Sequence, residues 1–314
     1  MQFIKPKFWD LKKPNLLSYL LLPLTIPIRI NNMLLDLKSK KKDERIKTIC
    51  IGNIYIGGTG KTPTTIKLYQ LLSQQGYEVL TANKNYKEHL DEKIILERKT
   101  ETISSKNRLE IIDKAISMKK KILIFDDGLQ DKKISYDIEF VCFDQKNWLG
   151  NGLLIPSGPL REKINSLKKY SCIFLKKDGE DTNAKTQLIK NINPNIKIFY
   201  THFEPLNIDQ FDKSKKYLIF SGIGNPQDFK NLLIKNELNI VDEIIYPDHY
   251  MYNENDINKI KKRANGLGAK IITTEKDYVK ISQLDKEDIN FLEINLLIEN
   301  QEELTDFIKE KFHE

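Results

Sequence analysis

A glycine-rich segment that separates a strand pattern from a helical pattern is the feature that most limits how this chain can fold. The apolar run at residues 46–52 (IKTICIG) predicts a strand, and residues 63–75 carry apolar side chains at helical spacing. The segment between them contains Gly57, Gly58, Thr59, Gly60, Lys61 and Thr62. This order of strand, glycine-rich turn and helix predicts a phosphate-binding loop in an α/β sheet.

The residue types in this loop suit the binding of nucleotide phosphates. Glycines let backbone N–H groups close around phosphate oxygens, and the start of the following helix adds the positive end of a dipole. Lys61 is expected to reach the β- and γ-phosphates of a bound nucleotide, and the Thr62 hydroxyl to ligate Mg²⁺. Tyr55 occupies the place of the first glycine in the general pattern GxxxxGK[ST], so the prediction depends on the strand–loop–helix context. The alternative is an accidental glycine-rich turn.

Apolar runs and helical patterns alternate along most of the chain, which predicts an α/β fold. The alternation indicates a P-loop NTPase-type open, mostly parallel sheet with helices on both faces. A second series that starts near Tyr217 predicts a smaller α/β domain. We expect the boundary in the weakly patterned stretch 180–215, which gives a first domain at 31–210 and a second domain at 211–314.

The N-terminal residues 1–30 form a segment of their own. Residues 16–28 (LLSYLLLPLTIPI) are strongly apolar with basic residues on both sides, but the run is too short to span a bilayer and holds two prolines. We expect an interfacial membrane anchor whose basic flanks lie on anionic headgroups. The alternative is a helix packed on the protein's own core. The net charge of +7 suits an anionic partner, although solubility alone also accounts for it.

Two acidic residues follow another strand pattern. Asp126 and Asp127 come directly after the apolar run at 121–125 (KILIF). A carboxylate at a strand end, in a sheet that also carries a phosphate-binding loop, is where Mg²⁺ is usually held. The alternative is an acidic turn, because aspartates are common in turns. We therefore predict that the metal is ligated by Thr62, Asp126 and Asp127.

Two further loops carry side chains suited to phosphate binding or proton transfer. Residues 150–162 are rich in Gly and Pro and end in Arg161, which suits bidentate contact with phosphate. A rigid connection with a solvated arginine is the alternative. His249 follows a strand pattern and is one of four histidines, and a histidine at a strand end can move protons. A histidine without a catalytic role is the alternative there.

Together these motifs resemble the tetraacyldisaccharide 4′-kinase family, the lipid A 4′-kinases of Gram-negative bacteria. The family's phosphate loop, GN-x-x-x-GG-x-GK-[ST]-P, stands here as Gly52-Asn53 followed by residues 57–63, and the family itself lacks the glycine replaced by Tyr55. Its other motifs are DDGLQ, GNG…P-x-GPLRE, GIGNP…F, DH and TTEKD. They stand here at residues 126–130, 150–162, 222–229, 248–249 and 273–277. The resemblance covers nearly the whole chain.

The chain departs from the family pattern around one turn. The family's SRGYG appears as residues 83–87 (NKNYK), which keeps a cation and the tyrosine but loses the glycine. The family's GDEP reads Leu90-Asp91-Glu92-Lys93, so Asp91 matches the catalytic aspartate, with Glu92 as the alternative if the register differs by one. By the same resemblance, substrate contacts are expected from Lys84, Tyr86, Gln130, Arg161 and Glu162.

The resemblance implies a kinase with two α/β domains and an active site in the cleft between them. MgATP would donate its γ-phosphoryl group to the 4′-hydroxyl of a tetraacyldisaccharide 1-phosphate, an anionic glycolipid. Asp91, supported by His249, would take the hydroxyl proton, while Lys61 and Mg²⁺ stabilise the transferring group. Such a substrate implies the cytoplasmic face of the inner membrane, reached through the N-terminal segment. Three cysteines inside strand patterns also fit a reducing cytosol.

A membrane-associated P-loop nucleotide-binding protein or GTPase without lipid kinase activity is the alternative function. A GTPase should carry an NKxD-like motif, and the nearest string, residues 274–277 (TEKD), has Glu in place of Asn. The altered turn at 83–87 is the best support for a binding protein without transferase activity. A nucleic-acid partner is not expected, because the lysines are dispersed and no aromatic-plus-basic motif occurs.

Overall fold

The computed structural model describes residues 5–37, 40–84, 90–131, 133–177, 179 and 181–313. Contacts divide the chain into two compact units. The larger unit comprises Lys5–Asn85, Lys99–His202 and Leu297–Glu314. The smaller unit comprises Met1–Ile4, Tyr86–Arg98 and Phe203–Leu296.

The described residues form twelve strands and ten α-helices. The strands are β1 (Lys47–Gly52), β2 (Val79–Lys84), β3 (Thr102–Ser105), β4 (Ile122–Asp126), β5 (Ile138–Asp144), β6 (Cys172–Lys176), β7 (Lys197–Pro205), β8 (Lys216–Ser221), β9 (Asn239–Ile245), β10 (Ala269–Thr274), β11 (Ile289–Leu292) and β12 (Ile294–Ile298). The helices are α1 (Leu16–Leu20), α2 (Ile26–Asp36), α3 (Lys61–Gln74), α4 (Leu90–Lys99), α5 (Arg108–Ser117), α6 (Asn183–Ile192), α7 (Pro226–Lys235), α8 (Glu254–Leu267), α9 (Glu275–Tyr278) and α10 (Gln301–His313).

An eight-stranded sheet in the order β12-β7-β6-β5-β1-β4-β2-β3 forms the core of the larger unit. The seven strands from β7 to β3 pair in parallel. Because β1 is hydrophobic on both faces, it lies at the centre, and the register sets Ile51 opposite Asp126 of β4. The phosphate-loop segment that leaves β1 therefore starts beside the acidic end of β4.

The smaller unit is built on a four-stranded parallel sheet in the order β11-β10-β8-β9. Alternate residues of β8 point to opposite faces. Tyr217 and Ile219 pack in the same apolar cluster as α7, whereas Leu218 and Phe220 pack in the cluster that contains α8. The predicted α/β fold, with an open and mostly parallel sheet and a second, smaller α/β unit, is confirmed.

The division of the chain differs from the single boundary expected near residue 210. Residues 86–98 group with the smaller unit although the sequence-based division assigns them to the first domain, and residues 297–314 return to the larger unit. Helix α4, which carries Asp91, thus begins in the same unit as His249. The sequence-based division puts Asp91 and His249 in different domains. In the structure the two residues lie in the same unit.

The N-terminal helices α1 and α2 expose their apolar side chains. Leu16 is 76% exposed, Leu20 68% and Met33 66%, and α2 has no buried residue. The buried side chains of the run are polar ones, Ser18 and Thr25. A surface helix usually buries its apolar side chains and exposes its polar ones, and the reverse holds here. The exposed apolar side chains do not fit the alternative that this segment packs on the protein's own core. Within the described ranges, the helices are too short or too polar for any of them to cross a bilayer.

Candidate active site

The loop between β1 and α3 has the backbone of a phosphate-binding turn. Gly60 has φ +82° and stands immediately before α3, and Gly57 has φ +138°, both in the region that L-residues rarely adopt. A Cβ on Gly57 would also come within 3.1 Å of the Tyr55 ring. The side-chain nitrogen Nδ2 of Asn53 donates to the Gly57 carbonyl at 3.3 Å and to Thr59 Oγ1 at 3.0 Å. These two hydrogen bonds stabilise the turn.

Tyr55 is built into this loop by contacts on both sides. Its hydroxyl donates to Asp10 Oδ1 at 2.6 Å and accepts from Lys5 Nζ at 3.0 Å, and its ring is almost wholly buried. The next residue, Ile56, donates its N–H to the carbonyl of Pro159 at 2.8 Å. A tyrosine replaces the first glycine of the general pattern here because the chain at this point packs against two other segments of the larger unit.

Asp126 lies against the start of α3 and forms the candidate metal site with Thr62. The Thr62 hydroxyl donates to Asp126 Oδ2 at 2.8 Å, and Thr65 Oγ1 donates to Oδ1 at 3.3 Å. A carboxylate and a hydroxyl are hard oxygen donors of the kind that Mg²⁺ takes together with phosphate oxygens and water, so the donor set fits that ion. Among the described residues no group of three or more His, Cys, Asp or Glu side chains forms a metal site.

Asp127 differs from its neighbour in its contacts. Its Oδ1 accepts from Arg161 Nη1 at 3.1 Å, and its backbone has φ +55°. Burial alone would raise the pKa of the Asp127 carboxyl, but the charges of Lys61, Arg161 and Arg108 outweigh burial and lower this pKa to about 2. Asp127 is therefore an anion set between cations, whereas Asp126 contacts the hydroxyls of α3.

The expected substrate residues Gln130, Arg161 and Glu162 are linked to one another. Arg161 Nη1 donates to Gln130 Oε1 at 2.8 Å, and Gln130 Nε2 donates to the Asn53 carbonyl at 2.9 Å and to Glu162 Oε1 at 3.3 Å. They line a cavity of about 190 Å³ together with residues of α2. Lys84 is the last residue of β2 and is not among the residues that line this cavity, and Tyr86 falls outside the described residues.

Asp91 and His249 meet in the smaller unit although they are 158 residues apart in sequence. His249 Nδ1 lies 2.9 Å from Asp91 Oδ1 and 3.0 Å from Oδ2, and Asp91 is 1% exposed. His249 has φ +59°, and its N–H donates to the Gly222 carbonyl at 3.1 Å. The alternative base, Glu92, lies 3.9 Å from the opposite ring nitrogen, so the geometry favours Asp91.

Two lysines surround this pair. Lys276 Nζ lies 3.4 Å from His249 Nε2, 3.8 Å from Asp91 Oδ2 and 3.2 Å from Asp248 Oδ1. Because an ammonium group only donates, His249 Nε2 accepts from Lys276, and Nδ1 carries the proton that is donated to Asp91. Lys280 Nζ approaches Asp91 Oδ2 from another side at 3.6 Å.

The charges around Asp91 keep its carboxyl ionised. Burial alone would raise the pKa of Asp91. The hydrogen bond from His249 and the positive charges of Lys276 and Lys280 outweigh burial and hold this pKa well below its usual range. The pKa of the Asp248 carboxyl is lowered as well: burial opposes the shift, and Lys276 is its largest cause.

Sequence reasoning did not single out Lys276, Asp277 or Lys280. In the sequence, residues 274–277 belong to the family pattern TTEKD and are the nearest match to a base-recognition motif, and neither pattern assigns a role to these side chains. In the structure the Asp277 carboxylate accepts from Tyr252 at 2.9 Å and from Thr274 at 2.7 Å. A signal was present in the sequence, since a charged triplet directly after the strand pattern KIITT marks a strand end, where ligands of parallel sheets bind.

Comparison with known proteins relates the chain to one family. The family model described as tetraacyldisaccharide-1-P 4′-kinase matches residues 16–313. A tetraacyldisaccharide 4′-kinase from Pelagibacter ubique (strain HTCC1062) is 47% identical over 307 residues, which cover 97% of each chain. Another, from Rickettsia akari (strain Hartford), is 34% identical over 329 residues and covers 99% of this chain and 98% of that protein.

One solved structure matches over most of the length. The crystal structure of an "apo" form of LpxK from Aquifex aeolicus in complex with ATP covers 95% of this chain and 100% of that chain, with a TM-score of 0.69. The two sequences are 22% identical, so this likeness concerns the fold.

Proposed function

The chain belongs to the tetraacyldisaccharide-1-P 4′-kinase family, and from this membership we propose how its residues perform the reaction. The reaction transfers the γ-phosphoryl group of ATP to the 4′-hydroxyl of a tetraacyldisaccharide 1-phosphate, in lipid A biosynthesis. The observation that carries the proposal is the left-handed turn at Gly57–Gly60 beside the Thr62–Asp126 contact. This arrangement can bind a nucleoside triphosphate together with its magnesium ion.

The larger unit supplies the donor side of the reaction. Backbone N–H groups of the glycine turn and the Lys61 ammonium would bind the phosphates of ATP, and Thr62 with Asp126 would hold Mg²⁺. The ion supplies charge neutralisation at the phosphate oxygens. Asp127 and Arg161 pair at 3.1 Å, and this pair sets a guanidinium next to the acidic end of β4, where it can contact an anionic substrate.

The acceptor side depends on the Asp91–His249 pair. Both carboxylate oxygens lie within hydrogen-bonding distance of His249 Nδ1, so the two side chains can share a proton as one unit. The pair would receive the proton of the 4′-hydroxyl as its oxygen attacks phosphorus. The positively charged Lys276 Nζ lies 3.4 Å from His249 Nε2, next to the pair that would transfer the proton.

The exposed apolar side chains of α1 and α2 support a membrane-surface location. An acylated disaccharide lies with its chains in a bilayer, so a kinase acting on it gains from an apolar surface that enters the headgroup boundary. Lys12 and Lys13 precede this surface and Arg29 lies on α2 itself, and these basic side chains can contact anionic lipids. We place the reaction at the cytoplasmic face of the inner membrane, because ATP is a cytosolic substrate.

The alternative of a GTPase finds no support in the smaller unit. A base-recognition aspartate must present its carboxylate to a guanine, whereas both oxygens of Asp277 already accept hydrogen bonds from Tyr252 and Thr274. Lys280 also pairs with this carboxylate at 2.8 Å. A nucleotide-binding protein without transferase activity is separated from the kinase by the experiment below.

The test is direct phosphoryl transfer. Purified protein is incubated with γ-labelled ATP, Mg²⁺ and tetraacyldisaccharide 1-phosphate in mixed micelles, and label in the lipid is measured after separation. We expect label in the lipid with ATP, much less with GTP, and none when the acceptor lacks a 4′-hydroxyl. ATP hydrolysis without lipid labelling would contradict the kinase assignment and favour the nucleotide-binding alternative.

A further inference from the structure

A second charged layer lies behind the Asp91–His249 pair. Lys280 and Asp277 are both almost wholly buried, at 1% and 0% side-chain exposure, and their Nζ and Oδ1 atoms are 2.8 Å apart. Buried charges are rare unless they are paired and hydrogen-bonded, because desolvation is costly. Such a pair next to a proposed catalytic group needs an explanation beyond stability.

Asp277 is fixed by neutral donors on each of its oxygens. Tyr252 donates its hydroxyl to Oδ1 at 2.9 Å, and Thr274 donates to Oδ2 at 2.7 Å. Thr274 is also the N-cap of α9, because its Oγ1 accepts from the Asp277 N–H at 3.1 Å. The carboxylate therefore has one well-defined position from which it holds Lys280.

Lys280 in turn faces Asp91. Its Nζ lies 3.6 Å from Asp91 Oδ2 and 3.5 Å from the Gly222 carbonyl, and Gly222 is the residue whose carbonyl accepts from the His249 N–H. A Cβ on Gly222 would come within 3.2 Å of Asp277 Oδ1 and 3.1 Å of the Tyr252 hydroxyl, so a side chain there would displace these two groups. The Gly222 carbonyl oxygen thus contacts both the His249 N–H and Lys280 Nζ.

We propose that Lys280 is a positioning residue for the Asp91–His249 pair: anchored by Asp277, it holds the Asp91 carboxylate against Nδ1 of His249. The proposal rests on the proposed function, because it gives the pair its role. Lys280 acts through Asp91 and does not itself touch the substrate, since its side chain is buried. Lys276 differs from it, with a partly exposed side chain directed to His249 and Asp248.

The charges that act on Asp91 come from several elements. The cations near Asp91 are Lys276 on α9 and Lys280 after α9, and His249 donates a hydrogen bond to it from Nδ1. The anions are Asp277, which pairs with Lys280, and Asp248 and Glu92, which pair with Lys276. Removing one cation from this set leaves Asp91 in a less positive environment. An opposite charge within about 4–6 Å changes the pKa of a carboxyl by about 1–3 units, so the loss should be measurable.

The first test substitutes Lys280→Met, which keeps the length of the side chain and removes its charge. We expect kcat to fall about ten- to a hundredfold, because a small displacement of a catalytic group costs this much. KM for ATP should stay unchanged, since the phosphate loop belongs to the other unit. The acid limb of the pH–kcat profile should move to higher pH, because Asp91 then protonates more easily. Lys286→Met, at a partly exposed lysine over the Tyr278 ring, is the matched control and should change none of these.

A second variant distinguishes a kinetic defect from a folding defect. Lys280→Met leaves Asp277 buried and without its cation, which can destabilise the unit. The double variant Asp277→Asn/Lys280→Met removes both charges together, and the asparagine oxygen can still accept from Tyr252 or Thr274. We expect this variant to fold as shown by circular dichroism and thermal unfolding, and to retain the kinetic defect of the single variant.

A readout independent of kinase activity is the titration of Asp91 itself, followed by carbon-13 NMR of its carboxyl group and assigned with Asp91→Asn. Its pKa should rise by about 1–3 units in Lys280→Met, which is the deciding measurement. The rise should be smaller in the double variant, which also loses the nearby negative charge of Asp277. An unchanged pKa overturns the proposal, whether or not activity is lost. A raised pKa in a protein that transfers no phosphoryl group would leave the positioning role intact and overturn the proposed function instead.

Discussion

At the scale of single residues, Lys61 tests the phosphate loop most directly. The turn that precedes it is built from backbone and from the Asn53 side chain, so Lys61→Ala should leave the fold intact. We expect the transfer rate to fall about 10²-fold or more, because one charge that stabilises the transferring group is lost. The measurement is the single-turnover rate at saturating ATP, with Lys67→Ala on the same helix as the control. A rate within threefold of the original protein would contradict the assignment.

Asp126 and Asp127 should differ in their dependence on Mg²⁺. Asp126 contacts the Thr62 hydroxyl, whereas Asp127 pairs with Arg161. Asp126→Asn should therefore raise the Mg²⁺ concentration needed for half-maximal rate, because a hard-cation site loses a carboxylate. Asp127→Asn should raise it less and should weaken acceptor binding through Arg161. Mg²⁺ curves that are unchanged from the original protein in both variants would mean that the ion is held elsewhere.

Asp91 and His249 should behave as one unit in a double-mutant cycle. Asp91→Ala and His249→Ala should each lower kcat by about 10²–10⁴-fold, and the double variant should be little worse than the worse single one. ATP binding should survive in all three, measured by fluorescent-nucleotide titration. Glu92→Ala serves as the comparison: an inactive Glu92→Ala beside an active Asp91→Ala would show that the base is displaced by one residue. Multiplicative losses would mean separate roles.

The parts of the site that could be predicted from the sequence are those that depend on contiguous motifs or on the ends of neighbouring strands. The loop at residues 57–62 is a contiguous motif whose chemistry is legible in its residue types. The contact between Thr62 and Asp126 was predictable too, because parallel strands bring their carboxyl ends together. The Asp91–His249 contact spans 158 residues and came only from family resemblance. Lys280 stayed unnoticed because a buried ion pair leaves no pattern in one sequence.

At the scale of secondary structure elements, α1 and α2 carry the membrane prediction. The double variant Leu20→Glu/Met33→Glu places two charges on the exposed apolar surface. If both side chains enter the bilayer, losing their burial should weaken liposome binding on the order of a hundredfold. Co-sedimentation with anionic vesicles measures this effect. Leu188→Glu, at an exposed leucine on α6, is the control, and equal losses in both variants would contradict a specific surface.

Elements with strong patterns were predicted close to their observed bounds. The runs at 46–52 and 121–125 correspond to β1 and β4, and the helix expected from Pro63 begins two residues earlier, at Lys61. The weakly patterned stretch 180–215 contains α6 and β7, which the sequence did not reveal. Helix α6 has Ile189 as its one buried residue among those described, and β7 is mostly half-buried with only Phe199 and Thr201 buried, so hydrophobic spacing gave little signal.

At the scale of the whole molecule, the last helix completes the larger unit. Phe307 of α10 is almost wholly buried and lies 6.3 Å from the ring of Phe140 and 5.8 Å from that of Phe199. Phe307→Ala should reduce the free energy of unfolding by about 3–5 kcal/mol, because it leaves a cavity between aromatic rings. Urea unfolding followed by tryptophan fluorescence checks this. Lys309→Ala, exposed on the same helix, should change it little.

The division of the chain into units could not be predicted from alternating patterns alone. Patterns of strands and helices place a boundary where the patterning weakens, near residue 210 in this chain. They do not reveal that residues 86–98 leave the larger unit and join the smaller one. Such excursions depend on long-range contacts, among them the ion pairs of Asp91, and a single sequence does not record these.

The return of the chain to the larger unit has a consequence for its synthesis on the ribosome. Helix α10 is made after the entire stretch Phe203–Leu296, whose synthesis at about 5–20 residues per second takes on the order of ten seconds. During that interval the larger unit lacks α10, so the rings of Phe140 and Phe199 lack their contact with Phe307. The larger unit is therefore completed only after the smaller one, and apolar surface that stays uncovered during this time makes a growing chain prone to aggregation.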